Sequence, residues 1–215
     1  MKKRAFILLL VLLLTCSVTA QAGLGDRFYR HFLYGSPSSY ENMVYHYGLD
    51  IFDRFQMLSD EALEQIWAER EANAKEGDDA LYDFRIWISP DEKYEFEVQV
   101  KEPTYDSFET ELEMAPRYLE LISGGFSPEN NVRMIHEGKL RSTKAGKMLE
   151  TAIAYDVPDG NGGMRTVVFL YYDLYAGATE YCFSLHAYDG DYDTAQDLLD
   201  EICQSVRLSM IKFKV

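Results

Sequence analysis

The spacing of apolar side chains changes between helical and strand-like along the chain. Apolar residues that recur three and four positions apart predict three helices, at residues 59–76, 106–123 and 193–206. The first two begin at Ser59 and Asp106, residue types that cap helix N-termini. Gly77 follows the first helix, in the position where glycine commonly ends a helix. The last helix is apolar on one face, so it is expected to lie on a core.

Alternation of apolar and polar side chains predicts β-strands at residues 82–88, 94–100, 132–137, 148–157, 165–175 and 179–188. The stretch 138–147 is predicted to be a basic connection, and the Pro, Asp, Asn and Gly residues at 158–163 predict a hairpin turn. Because several strands are apolar on both faces, other elements must cover both sides of the sheet. The predicted fold class is α+β, an antiparallel β-sheet meander with helices packed on its faces.

Residues 1–22 have the three parts of a secretory signal peptide. Basic residues stand at 2–4, ten apolar residues at 5–14, and small residues at Ala20 and Ala22. The apolar run is too short to span a bilayer as a helix, which needs about 20 residues.

Cleavage of this leader predicts a mature chain that begins at Gly23, is secreted or extracytoplasmic, and has no transmembrane segment. Residues 13–16 resemble a lipobox, in which the cysteine is lipidated and becomes the new N-terminus. Lipoboxes prefer Gly, Ala or Ser before that cysteine, where this chain has Thr15. Lipid anchoring at Cys16 is therefore the alternative to free secretion.

Three segments follow from these patterns: a signal peptide at 1–22, an aromatic N-terminal arm plus a helix at 23–77, and an α+β domain at 78–215. The arm itself, residues 23–55, is rich in aromatic side chains and is interrupted by glycine and proline. It is expected either to pack on the domain or to contact a partner.

The mature chain is strongly acidic. Without the leader, 18 basic and 36 acidic residues remain, a formal charge of −18. Such a chain is repelled by nucleic acid and by anionic lipid headgroups, which argues against both as partners. The partner is expected to be a protein or a component of the cell envelope.

Cys182 and Cys203 remain when the leader is removed. A pair of cysteines in an exported chain is compatible with one disulfide. Two free, buried thiols are the alternative, because free cysteine is among the most buried residue types. A thiol enzyme is not indicated, since His186 is the only histidine near either cysteine in the sequence.

Two clusters of oxygen ligands are candidate metal sites. One has a spacing like that of a calcium loop and comprises Asp189, Asp191, Asp193 and Asp200. Capping of the helix that follows explains it better, because Thr194 stands where such a loop needs glycine. The other comprises Asp156, Asp159 and Asn161, which turn geometry explains. His31 and His46 lack neighbours at ligand spacing, so no metal or cofactor is predicted.

The sequence contains no nucleophile elbow, zinc-protease motif, P-loop or dinucleotide motif. His136 and His186 lie on predicted strands and could meet in space, although a strand histidine is usually structural. No catalytic residue is predicted. The alternative is a small extracytoplasmic hydrolase that uses two carboxylates, as glycosidases do.

Tyrosines are frequent near the final hairpin, and this class of side chain suits binding surfaces. The candidate binding surface comprises Tyr171, Tyr175, Tyr188 and Tyr192. Their abundance is explained more simply if the strands of exported proteins are rich in tyrosine.

The order of elements over residues 82–208 resembles the PsbP fold family, which includes photosystem-associated PsbP proteins and bacterial DcrB-type lipoproteins. Residues 181–185 resemble the last strand of that fold, and 193–208 resemble its closing helix and tail. The resemblance implies a binding or assembly scaffold without catalysis. The metal and photosystem contacts of the family are not carried over, because no matching motif is present. We therefore predict an exported, non-catalytic binding or accessory protein of the bacterial cell surface or extracytoplasmic space.

Overall fold

The computed structural model describes residues 40–42, 44–51, 54–73, 81–114, 117, 119 and 126–208. Three α-helices lie within these ranges, α1 (Asp60–Asn73), α2 (Phe108–Met114) and α3 (Tyr192–Ser205), together with a short 3-10 helix at Pro128–Asn130. The first strands are β1 (Tyr40–Asn42), β2 (Tyr47–Leu49), β3 (Gln56–Met57), β4 (Leu81–Ile88) and β5 (Tyr94–Lys101). The others are β6 (Arg133–Ser142), β7 (Lys147–Pro158), β8 (Met164–Ala176), β9 (Thr179–Ala187) and β10 (Arg207–Leu208).

A seven-stranded antiparallel sheet forms the body of the molecule, in the order β3-β4-β5-β9-β8-β7-β6. Hairpins join β4 to β5 and link β6, β7, β8 and β9 in succession, whereas α1 lies between the paired strands β3 and β4 in the chain, and β5 pairs with β9. The final hairpin therefore lies at the centre of the sheet, and β6 forms one edge. The predicted fold class is confirmed.

One face of the sheet is covered by α3 and by a small sheet of order β1-β2-β10. The apolar stripe of α3 packs on this face through Ala195, Leu198, Leu199 and Ile202. The small sheet adds Tyr47 and Leu49, both fully buried. We call this side of the sheet the α3 face. It holds the largest of the three buried apolar clusters among the described residues.

The opposite face is covered in two places. Helix α1 packs on β4 and buries Phe84, Ile86 and Ile88. Helix α2 packs on the other half of the sheet, where Ile153 and Phe169 are buried. The Ser59 hydroxyl accepts a hydrogen bond from the Ala62 amide (3.2 Å), so the predicted N-cap of α1 is confirmed. Most of the second half of the predicted helix 106–123 lies outside the described residues.

The described part of the aromatic arm packs on the domain. Strand β2 lies in the arm, and it pairs with β1 and with β10 near the end of the described chain. The Asp50 amide donates to the Ser205 hydroxyl (2.8 Å), which ties the arm to the end of α3. Residues 1–39, which include the predicted signal peptide and His31, lie outside the described residues.

The prediction for residues 138–147 is wrong. Strand β6 continues to Ser142, and a tight turn follows in which Thr143 and Gly146 exchange backbone hydrogen bonds. Lys139 pairs with Glu150 and Leu140 with Leu149 across the β6–β7 ladder. Basic side chains are tolerated here because an edge strand has one side open to solvent.

Candidate functional site

A groove of about 420 Å³ lies between α3, the β4–β5 turn and the loop before β3. Its walls are formed by Arg54, Phe55, Ser89, Pro90, Asp91, Tyr94, Thr194, Asp197, Leu198 and Glu201. We call it the α3 groove. Its volume is within the range of small-ligand sites, and it is equally suited to a few side chains of a peptide.

Helical geometry sets one wall of the groove. Thr194, Asp197, Leu198 and Glu201 recur at helical spacing, so they share one face of α3. The start of this helix is fixed by Asp191, whose carboxylate accepts hydrogen bonds from the Thr194 amide (3.1 Å) and hydroxyl (2.6 Å).

A network of hydrogen bonds fixes the opposite wall, the β4–β5 turn. The Ser89 hydroxyl donates to Asp91 Oδ1 (2.7 Å) and accepts from the Tyr94 amide (3.0 Å). The Lys93 amide also donates to Asp91 Oδ1 (3.3 Å). The bond from Ser89 lowers the pKa of Asp91 below its ordinary value, so this carboxylate is ionised at neutral pH.

The floor of the groove is apolar and its rim is acidic. Phe55 and Leu198 are buried at the floor, whereas Asp91, Asp197 and Glu201 are exposed at the rim. The basic side chain among the lining residues is Arg54, whose guanidinium lies 3.3 Å from Glu201. The groove therefore already holds one cation of the chain itself and keeps a net negative rim.

A buried polar cluster lies under α3 beside the β6 edge. Glu150 is fully buried, and its carboxylate contacts Arg141 Nε, Gln196 Nε2 (2.6 Å) and His136 Nε2 (2.6 Å). Burial alone raises the pKa of this carboxyl. The close His136 ring and the hydrogen bonds from Arg141 and Gln196 outweigh burial and lower the pKa of Glu150 to about 2. The cluster therefore holds a permanent carboxylate that joins β6, β7 and α3.

The opposite face of the sheet carries a row of buried polar side chains along β5 and β9. Lys101 Nζ lies 2.7 Å from Glu180, and Arg70 lies 2.8 Å from Glu97. Burial, with Glu97 adding to it, raises the pKa of Glu95 to about 7. These groups are buried between the helices and join α1 and the loop after β5 to the sheet.

The four tyrosines of the candidate binding surface do not form one exposed surface. Tyr171 is buried, and Tyr175 and Tyr188 are half-buried on the same side of the sheet. Tyr192 is half-buried on the α3 face, where its hydroxyl accepts a hydrogen bond from Gln196 (2.7 Å).

The acidic clusters serve the local structure. Asp191 caps α3, and Asp159 accepts hydrogen bonds from the amides of Asn161 (2.7 Å) and Gly163 (2.9 Å). Asp200 accepts from the Tyr172 hydroxyl and lies 3.6 Å from Arg141. Within the described ranges, no group of three or more histidine, cysteine, aspartate and glutamate side chains is arranged to hold a metal ion.

The two candidate histidines do not meet. His136 contacts Glu150 and Tyr192 on the α3 face, whereas His186 contacts Phe169 on the opposite face. Burial, with Arg70 adding to it, lowers the pKa of His186 to about 3, so its imidazole is neutral at physiological pH.

Both cysteines are free and buried. Cys203 is a residue of α3 that faces the core, and Cys182 lies in the core under α2, so the sheet separates the two thiols. The structure thus has the free-thiol alternative and not the disulfide. Among the helices of the described residues, none combines the length and the hydrophobicity that a bilayer crossing needs.

No protein-family model matches the chain, and no curated protein matches it. Solved structures are similar in fold. The solution structure of cyanobacterial PsbP (CyanoP) from Synechocystis has a TM-score of 0.50 and 13% identity, covering 89% of this chain and 98% of that one. LpqN, involved in cell envelope biogenesis of Mycobacterium tuberculosis, has a TM-score of 0.43 and 14% identity. The match covers 81% of this chain and 87% of LpqN. The Saccharomyces cerevisiae Ran-binding protein Mog1p has a TM-score of 0.45 and 9% identity. The match covers 81% of this chain and 96% of Mog1p.

The similarity to the cyanobacterial PsbP structure defines an α+β protein with a PsbP-like fold. The resemblance of residues 82–208 to that fold is confirmed, and the likeness covers most of both chains. At such low identity it concerns the fold and not the activity.

Sequence reasoning missed the α3 groove because its walls come from residues far apart in the chain, such as Arg54, Asp91 and Asp197. It also missed the cluster around Glu150. A signal for that cluster is present, since Glu150 is a charged residue in the middle of the largely apolar strand β7.

Proposed function

We propose that this chain is an exported, non-catalytic binding or accessory protein of the bacterial envelope or surface. In this proposal the α3 groove holds a cationic, partly apolar segment of a partner protein. The main support for the proposal is that the α3 groove has both a buried apolar floor, at Phe55 and Leu198, and an acidic rim. Apolar side chains of the partner fill the floor, and flanking lysines or arginines contact the carboxylates.

The ion pair between Arg54 and Glu201 supports this assignment. It is an example, within the chain, of the cation–carboxylate contact that the partner is expected to make. Both side chains are largely exposed, so the pair is weak and a partner's cation can replace Arg54.

The export part of the proposal rests on the leader at residues 1–22. An intact mass of the protein from its native host tests it. A mature chain that begins at Gly23 supports free secretion, and a chain that begins at a lipidated Cys16 supports anchoring. A chain that retains the leader contradicts export.

The binding part is tested with the synthetic peptide KLKFK, acetylated and amidated at its ends, by calorimetry at physiological salt. The wild-type protein is expected to bind KLKFK at least about tenfold more tightly than KSKSK, which has the same charge but little apolar surface. Asp197→Asn is expected to weaken binding about 1.4- to fivefold, since an exposed ion pair contributes roughly 0.2–1 kcal/mol.

Asp193→Asn is the matched control, because Asp193 is an exposed aspartate of the same helix that does not line the groove. It removes the same charge and is expected to leave affinity nearly unchanged. Equal affinity of the wild-type protein for KLKFK and KSKSK, or equal losses in the two variants, would contradict the proposed site.

A further inference from the structure

The β6–β7 hairpin is a basic segment in an acidic protein. Residues 133–147 contain five lysines and arginines and one glutamate, whereas the whole chain has 21 basic and 36 acidic residues. Arg133 and Arg141 form ion pairs with Asp156 and Glu150. The remaining three, Lys139, Lys144 and Lys147, are exposed.

These three side chains, which we call the hairpin lysines, form no ion pair among the residues that the structure describes. They lie within nine positions of one another on a hairpin that is held rigidly at its turn by Thr143 and Gly146. Their positive charge is therefore presented to solvent at a fixed edge of the molecule.

The same edge offers apolar side chains and an unpaired strand. Ile135 is 37% exposed and Leu140 is 48% exposed, and both are on β6. Within the described part of the chain, β6 pairs with β7 alone. Its ladder is irregular between Met134 and Lys139 and regular over 139–142.

Charge decides which strand this edge accepts. A second copy pairing edge to edge would bring Lys139 and Arg141 of each chain close to the same basic residues of the other, and like charges on neighbouring strands destabilise a pair. Edge lysines normally prevent such self-association. A strand that carries carboxylates is attracted to this edge instead, because each hairpin lysine then gains a negatively charged partner.

We propose that the β6 edge is a second interaction surface, which binds an extended acidic segment of a partner protein by strand addition. Backbone hydrogen bonds form along residues 139–142, carboxylates of the segment contact the hairpin lysines, and an apolar side chain of the segment covers Leu140. This surface lies on the edge of the sheet opposite to β3 and β4, so it is separate from the α3 groove.

The test uses a fluorescein-labelled peptide, ELEVE. The wild-type protein is expected to bind ELEVE, and Lys139→Gln combined with Lys144→Gln is expected to weaken this binding about tenfold. The matched control is Lys93→Gln combined with Arg165→Gln, two exposed basic residues outside the hairpin, and it is expected to retain most of the affinity.

Amide hydrogen exchange separates strand addition from simple charge attraction. Saturating ELEVE is expected to slow exchange of amides within 139–142, because strand pairing protects backbone N–H groups. The proposal is overturned if ELEVE does not bind, if both double variants lose the same affinity, or if no amide of β6 gains protection. Binding to phosphatidylglycerol vesicles without binding to ELEVE also overturns it.

Discussion

The carboxylate of Glu150 gives a quantitative test of how the α3 face is held together. Glu150 is fully buried; Arg141 and Gln196 donate hydrogen bonds to its oxygens, and His136 Nε2 lies 2.6 Å from one of them. Its pKa of about 2, against an ordinary value of 4.5, corresponds to about 3 kcal/mol of folding free energy at neutral pH. Glu150→Gln keeps the shape, removes the charge, and turns an amide N–H₂ toward one of the existing donors.

We therefore expect Glu150→Gln to lower the free energy of unfolding by about 3 kcal/mol at pH 7, which is roughly 6–12 °C in Tm for a chain of this size. The pKa of Glu150 is lower in the folded than in the unfolded chain, so its stabilising contribution is complete above pH 4.5. It is lost as the pH falls toward 2. The difference between wild type and variant should fall to about half by pH 3.

Urea denaturation at pH 7 and pH 3 measures both quantities. Glu64→Gln is the control, since Glu64 is an exposed glutamate of α1 and its replacement is expected to change stability by less than about 0.5 kcal/mol. Equal stability of Glu150→Gln and wild type at pH 7 would refute the reasoning. If Glu150→Gln were less stable than wild type by the same free energy at pH 7 and at pH 3, the loss would not come from the charge of Glu150.

Three further predictions concern buried groups. Glu95→Gln should stabilise the protein by up to about 3 kcal/mol at pH 8 and hardly at pH 4.5. The pKa of Glu95 is about 7 in the folded chain and 4.5 in the unfolded chain. Ionising this carboxyl therefore favours the unfolded chain as the pH rises above 4.5. Arg70→Met should destabilise the protein by about 3–5 kcal/mol, since it leaves Glu97 buried without its cation. Cys182 and Cys203 should resist alkylation in the native protein and react in denaturant without reductant.

Each of these has a direct check. Urea titrations from pH 4.5 to 8 follow Glu95→Gln, and a stability equal to wild type at pH 8 would contradict its raised pKa. For Arg70→Met, the companion double variant with Glu97→Met should recover part of the loss, whereas no recovery would show that the ion pair is not the cause. Mass spectrometry after alkylation tests the thiols, and a requirement for reduction would mean that they are bridged.

The strands and helices with long periodic patterns were predictable from sequence. Strands β7, β8 and β9 were anticipated because each has nine or more residues with a sustained apolar pattern. The three strands within residues 40–57 were not, since two or three residues carry no measurable periodicity. Their pairing depends on partners far away in sequence, such as β10 for β2.

The candidate sites were harder to predict than the fold. The tyrosine surface relied on composition, and composition does not distinguish a buried Tyr171 from an exposed tyrosine. The α3 groove brings Arg54, Asp91 and Glu201 together across more than 140 positions of sequence, so no local motif marks it. The hairpin lysines were visible as a basic segment, but their role as an edge of the sheet required the strand order.

The measurement that tests the proposed function most directly is an amide chemical-shift titration of the labelled protein with KLKFK. If the α3 groove is the binding site, the largest shifts will lie within 194–201 and 89–94, and Arg54→Ala will bind about two- to fivefold more tightly because it frees Glu201 for the peptide. Shifts concentrated elsewhere, or an Arg54→Ala protein that binds more weakly, would contradict the assignment of the groove.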